Sequence, residues 1–184
     1  MKTLVSTILA ATLALPLWAA PPLGDDGLHK PEWLRETFND LGEDLEEALS
    51  EGRTLMVIVE QKGCSYCKRM HEQVFVRPEI EQLIEDEYFV VQLDLRGDIE
   101  VTDFDGTTMP SKEMMDFWGL RFTPTMMLFP DPLEEPVEAP QAAAILIPGA
   151  LEPAETLSLL LWGSDPAARE RSLQDFHEAR VAAQ

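Results

Sequence analysis

The sequence predicts an α/β fold in which helices cover both faces of a small mixed sheet. Two apolar runs of strand length, "TLMVIVE" at residues 54–60 and "YFVVQLDL" at residues 88–95, lack helical spacing and suit strands buried on both faces. Segments with apolar residues at spacings of three and four, typical of amphipathic helices, flank these runs. The predicted order is helix, strand, helix, strand, short helix, strand, strand, helix, followed by a helical extension.

The chain begins with a segment typical of a secretory signal peptide. Residues 1–20 place one lysine near the start, continue with an uncharged apolar run from Leu4 to Trp18, and end on Ala19 and Ala20. At about 15 residues the run is shorter than the roughly 20 needed to cross a bilayer as a helix. We therefore expect export to the periplasm and removal of residues 1–20, with a retained anchor as the alternative.

Composition predicts one soluble domain that does not bind nucleic acid. We expect residues 21–30, rich in Pro, Gly and Asp, to be a flexible N-terminal segment, residues 31–163 to form the domain, and residues 164–184 to form a C-terminal helical extension. No further apolar run reaches membrane-spanning length. The net charge of −20 argues against nucleic acid, because phosphate binding depends on Lys and Arg. It favours a well-solvated surface, with an acidic docking face as the alternative.

The first half of the domain alternates helices with the two long strands. A helix is expected over residues 31–50, where apolar residues recur at spacings of three and four and a glycine follows the end. The strand at 54–60 leads through a short turn into a helix over 64–75. Pro78 can start a second helical piece, which precedes the strand at 88–95.

The second half contains shorter elements. Residues 96–110 lack strong periodicity and are expected to form a long acidic loop or insert. Ser111 is a plausible N-cap for a short helix that ends at Trp118. The strand at 125–129 is expected to pair as a hairpin with the run at 142–149. Two helices complete the chain, over residues 151–162 and 165–183.

The two cysteines of the chain, Cys64 and Cys67, lie at the predicted junction of strand and helix. A disulfide between them closes a loop of only four residues and removes little chain entropy, so a structural brace is a weak explanation. At a helix start, unpaired backbone N–H groups and the helix dipole favour the thiolate form of Cys64, which attacks disulfides. Cys67 lies within one turn and can resolve a mixed disulfide. The pair therefore predicts dithiol–disulfide exchange.

Pro124, in "RFTPT", opens the predicted strand at 125–129. Such a proline commonly marks only the start of a strand. In a dithiol protein, however, a cis proline beside the cysteines shapes the groove in which the substrate chain docks, and leaves the backbone of the preceding residue, Thr123, free to pair with that chain.

The stretches "GCSYCKRMH", "VVQLDL", "VTDFDG" and "RFTPTMMLF" resemble the periplasmic thioredoxins, most closely the SoxW type associated with bacterial sulfur oxidation. The resemblance covers roughly residues 54–149 and implies a thioredoxin fold. The chain departs from small thioredoxins by a longer separation of Cys64 from Pro124, which an insert at residues 96–110 can account for. The resemblance implies Cys64 as the attacking thiol, Cys67 as the resolving thiol, and Pro124 as the cis proline with Thr123 before it. It also implies exported disulfide proteins as substrates, an electron donor in the membrane that reduces thiols, and no cofactor beyond the Cys64–Cys67 disulfide.

The chain departs from ordinary thioredoxins beside the dithiol. Those proteins carry a buried Asp six residues before the first cysteine, where this chain has Ile58, and a Trp directly before it, where this chain has Gly63. Glu60, at the end of the strand, is therefore a candidate general base for Cys67. The alternative is that Glu60 is a strand-end carboxylate in solvent.

Three functions compete. The leading one is an exported reductant of protein disulfides. The second is an oxidase or isomerase of the same fold, because the Ser65-Tyr66 dipeptide does not settle the direction of electron flow. The third is a Cu(I) or Zn metallochaperone that uses Cys64, Cys67 and His71, which lies four residues after Cys67. The structural alternative for His71 is a side chain that packs under the dithiol.

Overall fold

The computed structural model describes residues 20–183, so the expected signal peptide lies outside the described residues except for Ala20. The elements, in chain order, are α1 Leu41–Ser50, β1 Thr54–Glu60, α2 Ser65–Arg69, a π-helical turn Met70–Val74, α3 Pro78–Glu87, β2 Tyr88–Asp94, β3 Glu100–Thr102, β4 Thr108–Pro110, α4 Ser111–Phe117, β5 Thr125–Phe129, α5 Ala139–Ala142, β6 Ile145–Pro148, α6 Pro153–Ser164, α7 Pro166–Arg169 and α8 Leu173–Ala182.

Four strands form one mixed sheet in the order β2-β1-β5-β6. β1 runs parallel to β2 and antiparallel to β5, and β5 pairs antiparallel with β6 in the predicted hairpin. The β1–β2 register pairs Thr54 with Tyr88 and Glu60 with Asp94. Every residue of β1 is buried, as expected for a central strand covered on both faces. The predicted fold class, a small mixed sheet flanked by helices, is confirmed.

Alternate residues of β1 fill two separate layers of the core. Leu55, Val57 and Val59 pack with α1 and α4 on one face, and Met56 and Ile58 pack with α3 and α6 on the other. This division follows from the alternation of side chains along a strand. β1 therefore contributes side chains to both layers of the core.

The first helix is shorter than the sequence predicts, because α1 begins at Leu41 and not at Pro31. Asn39 adopts a φ of 56°, through which a right-handed helix cannot continue. The Asp40 side chain then caps α1 by accepting the first free backbone N–H groups. Phe38, which matched the helical spacing, is 93% exposed.

Residues 31–40 instead run along the outer edge of β2. Leu34 forms an isolated parallel bridge with Val90, and the Arg35 N–H donates to the Val90 carbonyl at 2.9 Å. Asp40 forms a second parallel bridge, with Thr102 of β3. The segment therefore covers part of an otherwise open sheet edge.

Residues 21–30, expected to be flexible, fold into a turn that packs on the domain. Leu23 and His29 form an antiparallel bridge, and the Lys30 N–H donates to the Pro22 carbonyl at 2.8 Å. Leu28 is only 3% exposed. This N-terminal turn forms part of the wall of the site described below.

Residues 96–110, expected to be a loop or insert, contain the β3–β4 hairpin. Its strands have three residues each, too few for an alternating pattern to be recognised in sequence. Ser111 is the first residue of α4 rather than its N-cap, a position held by Pro110. The Ser111 hydroxyl instead donates to the Asp94 carbonyl at 2.6 Å and ties α4 to the end of β2.

The C-terminal extension forms two helices, where the sequence predicts one. α7 ends at Arg169, and the Ser172 side chain caps α8 by accepting the Asp175 N–H. α8 packs on α6, with the Ser158 hydroxyl 2.8 Å from Nδ1 of His177. Within residues 20–183, no helix combines the length and apolar character needed to cross a membrane.

Candidate active site

Cys64 and Cys67 form a disulfide at the start of α2, with their Cα atoms 5.3 Å apart. Gly63, with a φ of 76°, turns the chain from β1 into α2 in a conformation that favours glycine. Cys64 occupies the N-cap position, and the Cys67 N–H donates to its sulfur at 3.0 Å. Cys67 is only 2% exposed, whereas Cys64 is partly exposed. Cys64 is therefore the sulfur that a disulfide substrate can reach.

Thr123, the residue before Pro124, lies against the sulfur of Cys64. The Thr123–Pro124 peptide bond is cis, the isomer that the family resemblance implies. The Thr123 hydroxyl donates to Cys64 Sγ at 3.3 Å, and its carbonyl oxygen lies 3.5 Å from the same atom. The structure thus brings together three of the residues selected from sequence, although 59 positions separate Cys64 from Thr123.

Glu60 is buried and hydrogen-bonded, with only 1% of its surface exposed. Both carboxylate oxygens lie 3.0 Å from Nε2 of His71, and Nε2 of Gln92 donates to Oε2 at 2.6 Å. The solvent-exposed alternative is therefore wrong, because the N-terminal turn and the π-helical turn cover the end of β1. Glu60 lies two residues beyond Ile58 on the same face of β1, closer to the dithiol.

His71 is completely buried in the π-helical turn. That turn is closed by a hydrogen bond from the Phe75 N–H to the Met70 carbonyl at 2.8 Å, and such turns occur frequently at functional sites. The imidazole stacks with the rings of His29, at 4.6 Å between centroids, and Trp33, at 6.0 Å, and meets the Phe75 ring edge-on. This agrees with the structural interpretation of His71 as a residue packed under the dithiol.

The metal-site hypothesis gains no geometric support. His71 directs Nε2 at Glu60, and no group of three His, Cys, Asp or Glu side chains in the part of the chain that the structure describes is arranged to hold a metal ion. Six methionines of the described residues are buried, as expected for side chains that fill the interior. They are Met56, Met70, Met114, Met115, Met126 and Met127.

A pocket of about 370 Å³ adjoins the dithiol. Cys64, Cys67 and Glu60 line it from the domain, and Leu28 and His29 line it from the N-terminal turn. The buried Cys67 and the buried Glu60 carboxylate therefore line one cavity.

Two residues of this cluster were missed in the sequence. Gln92 links Glu60 to the N-terminal turn, because its Nε2 also donates to the His29 carbonyl at 3.0 Å and its Oε1 accepts from Lys30 Nζ at 2.7 Å. A lone amide within the apolar run "YFVVQLDL" was the available signal for Gln92. No sequence motif marked His29, because only the fold of the N-terminal turn brings it against His71 and the pocket. Burial, followed by the proximity of His71, lowers the pKa of His29.

The cationic side chains near the dithiol are partly neutralised. Lys68 lies 3.7 Å from Glu72, and Arg69 pairs with Glu152 of the α6 cap. Lys62 is exposed in the turn before Cys64.

A family profile and a solved structure agree with this architecture. The sequence profile of the thioredoxin-like domain matches residues 41–161. A thioredoxin-fold protein from Helicobacter pylori has a similar structure, with 15% identity, 72% of this chain and 87% of that chain covered, and a TM-score of 0.54. A thioredoxin from Thermus thermophilus aligns with 23% identity, 66% and 82% coverage, and a TM-score of 0.49. A search of curated protein sequences finds no significant match.

The profile match spans most of the domain, and the Cys64–Cys67 disulfide occupies the junction of β1 and α2 within it. A reactive dithiol in this fold is the arrangement of a thiol–disulfide oxidoreductase. The chain therefore belongs to the thioredoxin-like domain family.

Proposed function

We propose that the protein is an exported reductant of disulfides in periplasmic proteins. The observation that carries this proposal is the asymmetry of the dithiol: Cys64 is accessible beside Thr123, and Cys67 is buried in a pocket that it shares with Glu60. This supports Cys64 as the attacking thiol and Cys67 as the resolving thiol. Thr123 and Pro124 then border the groove for the substrate chain.

The reaction transfers two electrons from the dithiol to the substrate disulfide. The Cys64 thiolate attacks one substrate sulfur, the substrate S–S bond breaks, and the first substrate thiolate leaves. Cys67 then gives its proton to Glu60, directly or through water, and its sulfur attacks Cys64 Sγ. The Cys64–Cys67 disulfide forms, and the second substrate thiolate leaves and takes up a proton.

Local charge favours the reducing direction. A strong oxidant needs a reduced form stabilised as a thiolate. Here the buried Glu60 carboxylate lines the same pocket as both sulfurs, and the nearby Lys68 and Arg69 are paired with carboxylates. This negative charge disfavours a thiolate on the buried Cys67, which opposes the stabilised reduced form that a strong oxidant needs and so supports a reducing potential.

Regeneration requires an external donor of electrons. We expect the oxidised protein to be reduced by a membrane protein that carries thiol-reducing equivalents outward, since an exported reductant has no access to cytoplasmic donors. The expected signal peptide at residues 1–20 supports the location. The resemblance of "VTDFDG" to SoxW-type proteins supports a link to sulfur oxidation.

Trapping of substrates tests the assignment of the two cysteines. In a Cys67→Ser variant, mixed disulfides between Cys64 and exported proteins should accumulate, because the resolving thiol is absent. The matched Cys64→Ser variant should accumulate none. If both variants reduced protein disulfides at the wild-type rate, the proposal would fail.

Redox state tests the direction of electron flow. A reductant should be found mostly as the dithiol in cells, with a potential near the thioredoxin value of about −270 mV rather than the strongly oxidising value of about −120 mV. A protein found mostly as the disulfide in cells, with a potential near about −120 mV, would be an oxidase. Equilibration of the Cys64–Cys67 pair with glutathione measures the potential.

A further inference from the structure

A second pocket, of about 280 Å³, lies beside the N-terminal turn. Trp33 and Phe75 line it, together with Ala20 and Pro21 from the start of the described chain. Three carboxylates also line this carboxylate pocket, those of Glu32, Glu81 and Glu85. Pro21 lines the pocket of the dithiol as well, so it lies between the two cavities.

The carboxylate pocket has a surplus of negative charge. None of its three carboxylates forms an ion pair with a Lys, Arg or His side chain in the part of the chain that the structure describes. Lys30 also lines the pocket, but its Nζ contacts Asp26 at 2.7 Å. Arg35 and Arg53 line an adjoining pocket, where both pair with Glu51.

The carboxylates are close enough to repel one another. Burial raises the pKa of Glu81, and the charges of Glu85 and Glu32 add to this rise. A cation placed among them would remove the repulsion and add an attraction.

The same pocket also lacks a hydrogen-bond donor. His71 lines it and is completely buried. Its Nε2 faces Glu60, which does not line this pocket, and its Nδ1 has no hydrogen-bond partner among residues 20–183. When Nε2 carries the hydrogen and donates to Glu60, Nδ1 is an acceptor. A buried acceptor without a donor is rare in native proteins, so a group that is both a cation and a donor fits this pocket.

Removal of the signal peptide would create such a group at this place. Hydrolysis of the bond after Ala20 by a signal peptidase leaves a carboxylate on Ala20 and an α-amino group on Pro21, and hydrolysis one bond earlier leaves the α-amino group on Ala20. Both residues line the carboxylate pocket. With an ordinary pKa of about 8, an α-amino group is mostly a cation at neutral pH. In the unprocessed chain the same nitrogen is an uncharged amide.

We propose that Glu32, Glu81 and Glu85 bind the α-amino group of the processed protein, and that this contact holds the N-terminal turn against the dithiol. This inference rests on the proposed function, because it requires export and removal of the signal peptide. A chain terminus is commonly mobile unless it is tied down. Fixing Pro21 keeps Leu28 and His29 in the wall of the dithiol pocket. Processing therefore completes that wall, and the precursor lacks the contact.

Titration of the α-amino group by NMR tests the contact. The intact mass of the protein purified from the periplasm identifies its first residue, whose C–H signals report this group. In the disulfide form, in which the cysteines do not titrate, the pKa of the α-amino group should lie about one unit or more above its value in the urea-unfolded chain. These signals separate it from the other titratable groups that line the two pockets, which are Lys30, His71, His29, Glu60, Lys68 and Glu72.

Variants of α3 test which carboxylates are responsible. Glu81→Gln and Glu85→Gln should each lower the pKa of the α-amino group by about half a unit or more, because each removes an adjacent negative charge. The matched control, Glu79→Gln, removes the same charge from an exposed position two residues from Glu81, on another side of the helix. It should change that pKa by less than about 0.2 units.

Amide hydrogen exchange tests whether the contact holds the N-terminal turn. The Lys30 N–H, which donates to the Pro22 carbonyl, should exchange about three- to tenfold faster in the double variant Glu81→Gln/Glu85→Gln. A processed chain extended by Gly-Ser-Gly at its start keeps the positive charge but displaces it, and should show the same increase. The Asp175 N–H, at the start of α8, should exchange at the wild-type rate in both and is the internal control.

An α-amino pKa equal to that of the unfolded chain, or Lys30 exchange unchanged in both altered proteins, would overturn the proposal. An ordinary α-amino pKa together with shifts of the Trp33 signals on addition of tetramethylammonium chloride would assign the pocket to an external organic cation instead. A protein recovered with residues 1–20 attached would overturn both this inference and the expected processing. Failure of the proposed function is a separate result, in which the processed protein reduces no disulfide through Cys64.

Discussion

At the residue scale, two hydrogen-bond donors face the sulfur of Cys64. The Cys67 N–H lies 3.0 Å away and the Thr123 hydroxyl 3.3 Å away. Both should stabilise a thiolate, because a hydrogen bond to a charged acceptor favours the charged form. Thr123→Val keeps the shape of the side chain but removes the hydroxyl.

We expect Thr123→Val to reduce the thiolate fraction of Cys64 and to slow its alkylation by iodoacetamide at pH 6.5 by about three- to tenfold, equivalent to one hydrogen bond of about 1 kcal/mol. Thr123→Ser retains the hydroxyl and should stay within about twofold of wild type. Equal slowing in both variants would assign the effect to packing against Pro124 and contradict the hydrogen-bond argument.

Asp44 is a buried carboxyl group in α1 whose pKa is raised. It is 3% exposed in α1 and accepts from the Thr37 hydroxyl at 3.2 Å. Burial raises the pKa of Asp44 from 3.8 to about 7. The hydrogen bond from Thr37 opposes this rise, and the neighbouring carboxylates of Asp40, Glu47 and Glu43 add to it. Between these pH values the folded state holds a proton that the unfolded state releases, so this carboxyl costs stability as pH rises through the interval.

Asp44→Asn should therefore raise the free energy of unfolding by about 1–3 kcal/mol at pH 8 and change it little near pH 4. Urea unfolding at the two pH values measures this difference. Glu46→Gln, an exposed change on the same helix, controls for the loss of one negative charge from an acidic protein. An equal gain at both pH values would contradict the raised pKa.

At the scale of elements, Asp103 holds the β3–β4 hairpin on the domain. It is 2% exposed and accepts from Nε1 of Trp118 at 2.6 Å, from the Phe104 N–H at 2.7 Å and from the Ala139 N–H at 2.9 Å. One side chain therefore joins the hairpin to the end of α4 and the start of α5. Removing it leaves buried donors without an acceptor.

Asp103→Ala should lower the free energy of unfolding by about 2–4 kcal/mol, because at least two buried donors lose their partner. Denaturant unfolding measures the loss. Glu100→Ala changes an exposed residue of the same hairpin and should stay within about 0.5 kcal/mol of wild type. A loss below about 1 kcal/mol for Asp103→Ala would show that the hairpin does not depend on this residue.

The elements also show what the sequence could predict. β1 and β5 were predicted with their exact limits, because long apolar runs carry a strong signal. The segment at 31–40 was predicted as helix because Leu34 and Phe38 fit a helical period. It is extended instead, because it pairs with β2 and because the positive φ of Asn39 prevents a helix from continuing through it. That pairing is a tertiary contact, which local periodicity does not encode.

The same limit applies to the site. The dithiol and Thr123–Pro124 were predicted from motif and resemblance, and Glu60 was selected because of its strand position. Its burial depends on cover from the N-terminal turn and the π-helical turn, which come from distant parts of the chain. Sequence spacing alone could therefore not distinguish a buried carboxylate from a solvated one.

At the scale of the whole molecule, the net charge of −20 surrounds a dithiol that has Lys62, Lys68 and Arg69 nearby. Lys68 and Arg69 are paired with carboxylates, so the long-range field should be that of an anion. Such a field raises the local concentration of cationic reactants and lowers that of anionic ones, and salt screens it over about 10 Å at 0.1 M. Charged disulfides of low molecular mass can probe its sign at Cys64.

The dithiol protein should react faster with the dication cystamine at low ionic strength, and this rate should fall several-fold from about 10 mM to about 500 mM salt. The rate with oxidised glutathione, an anion, should rise over the same range for the same reason. Stopped-flow measurement of disulfide formation gives both rates. Lys62→Gln removes a nearby exposed cation and should make both rates depend more steeply on salt concentration. The rate with the neutral hydroxyethyl disulfide is the control and should change little with salt. If the rate with cystamine rose with salt and the rate with oxidised glutathione fell, the cations beside Cys64 would govern the approach of substrates. The acidic surface would then have no effect on charged reactants at Cys64.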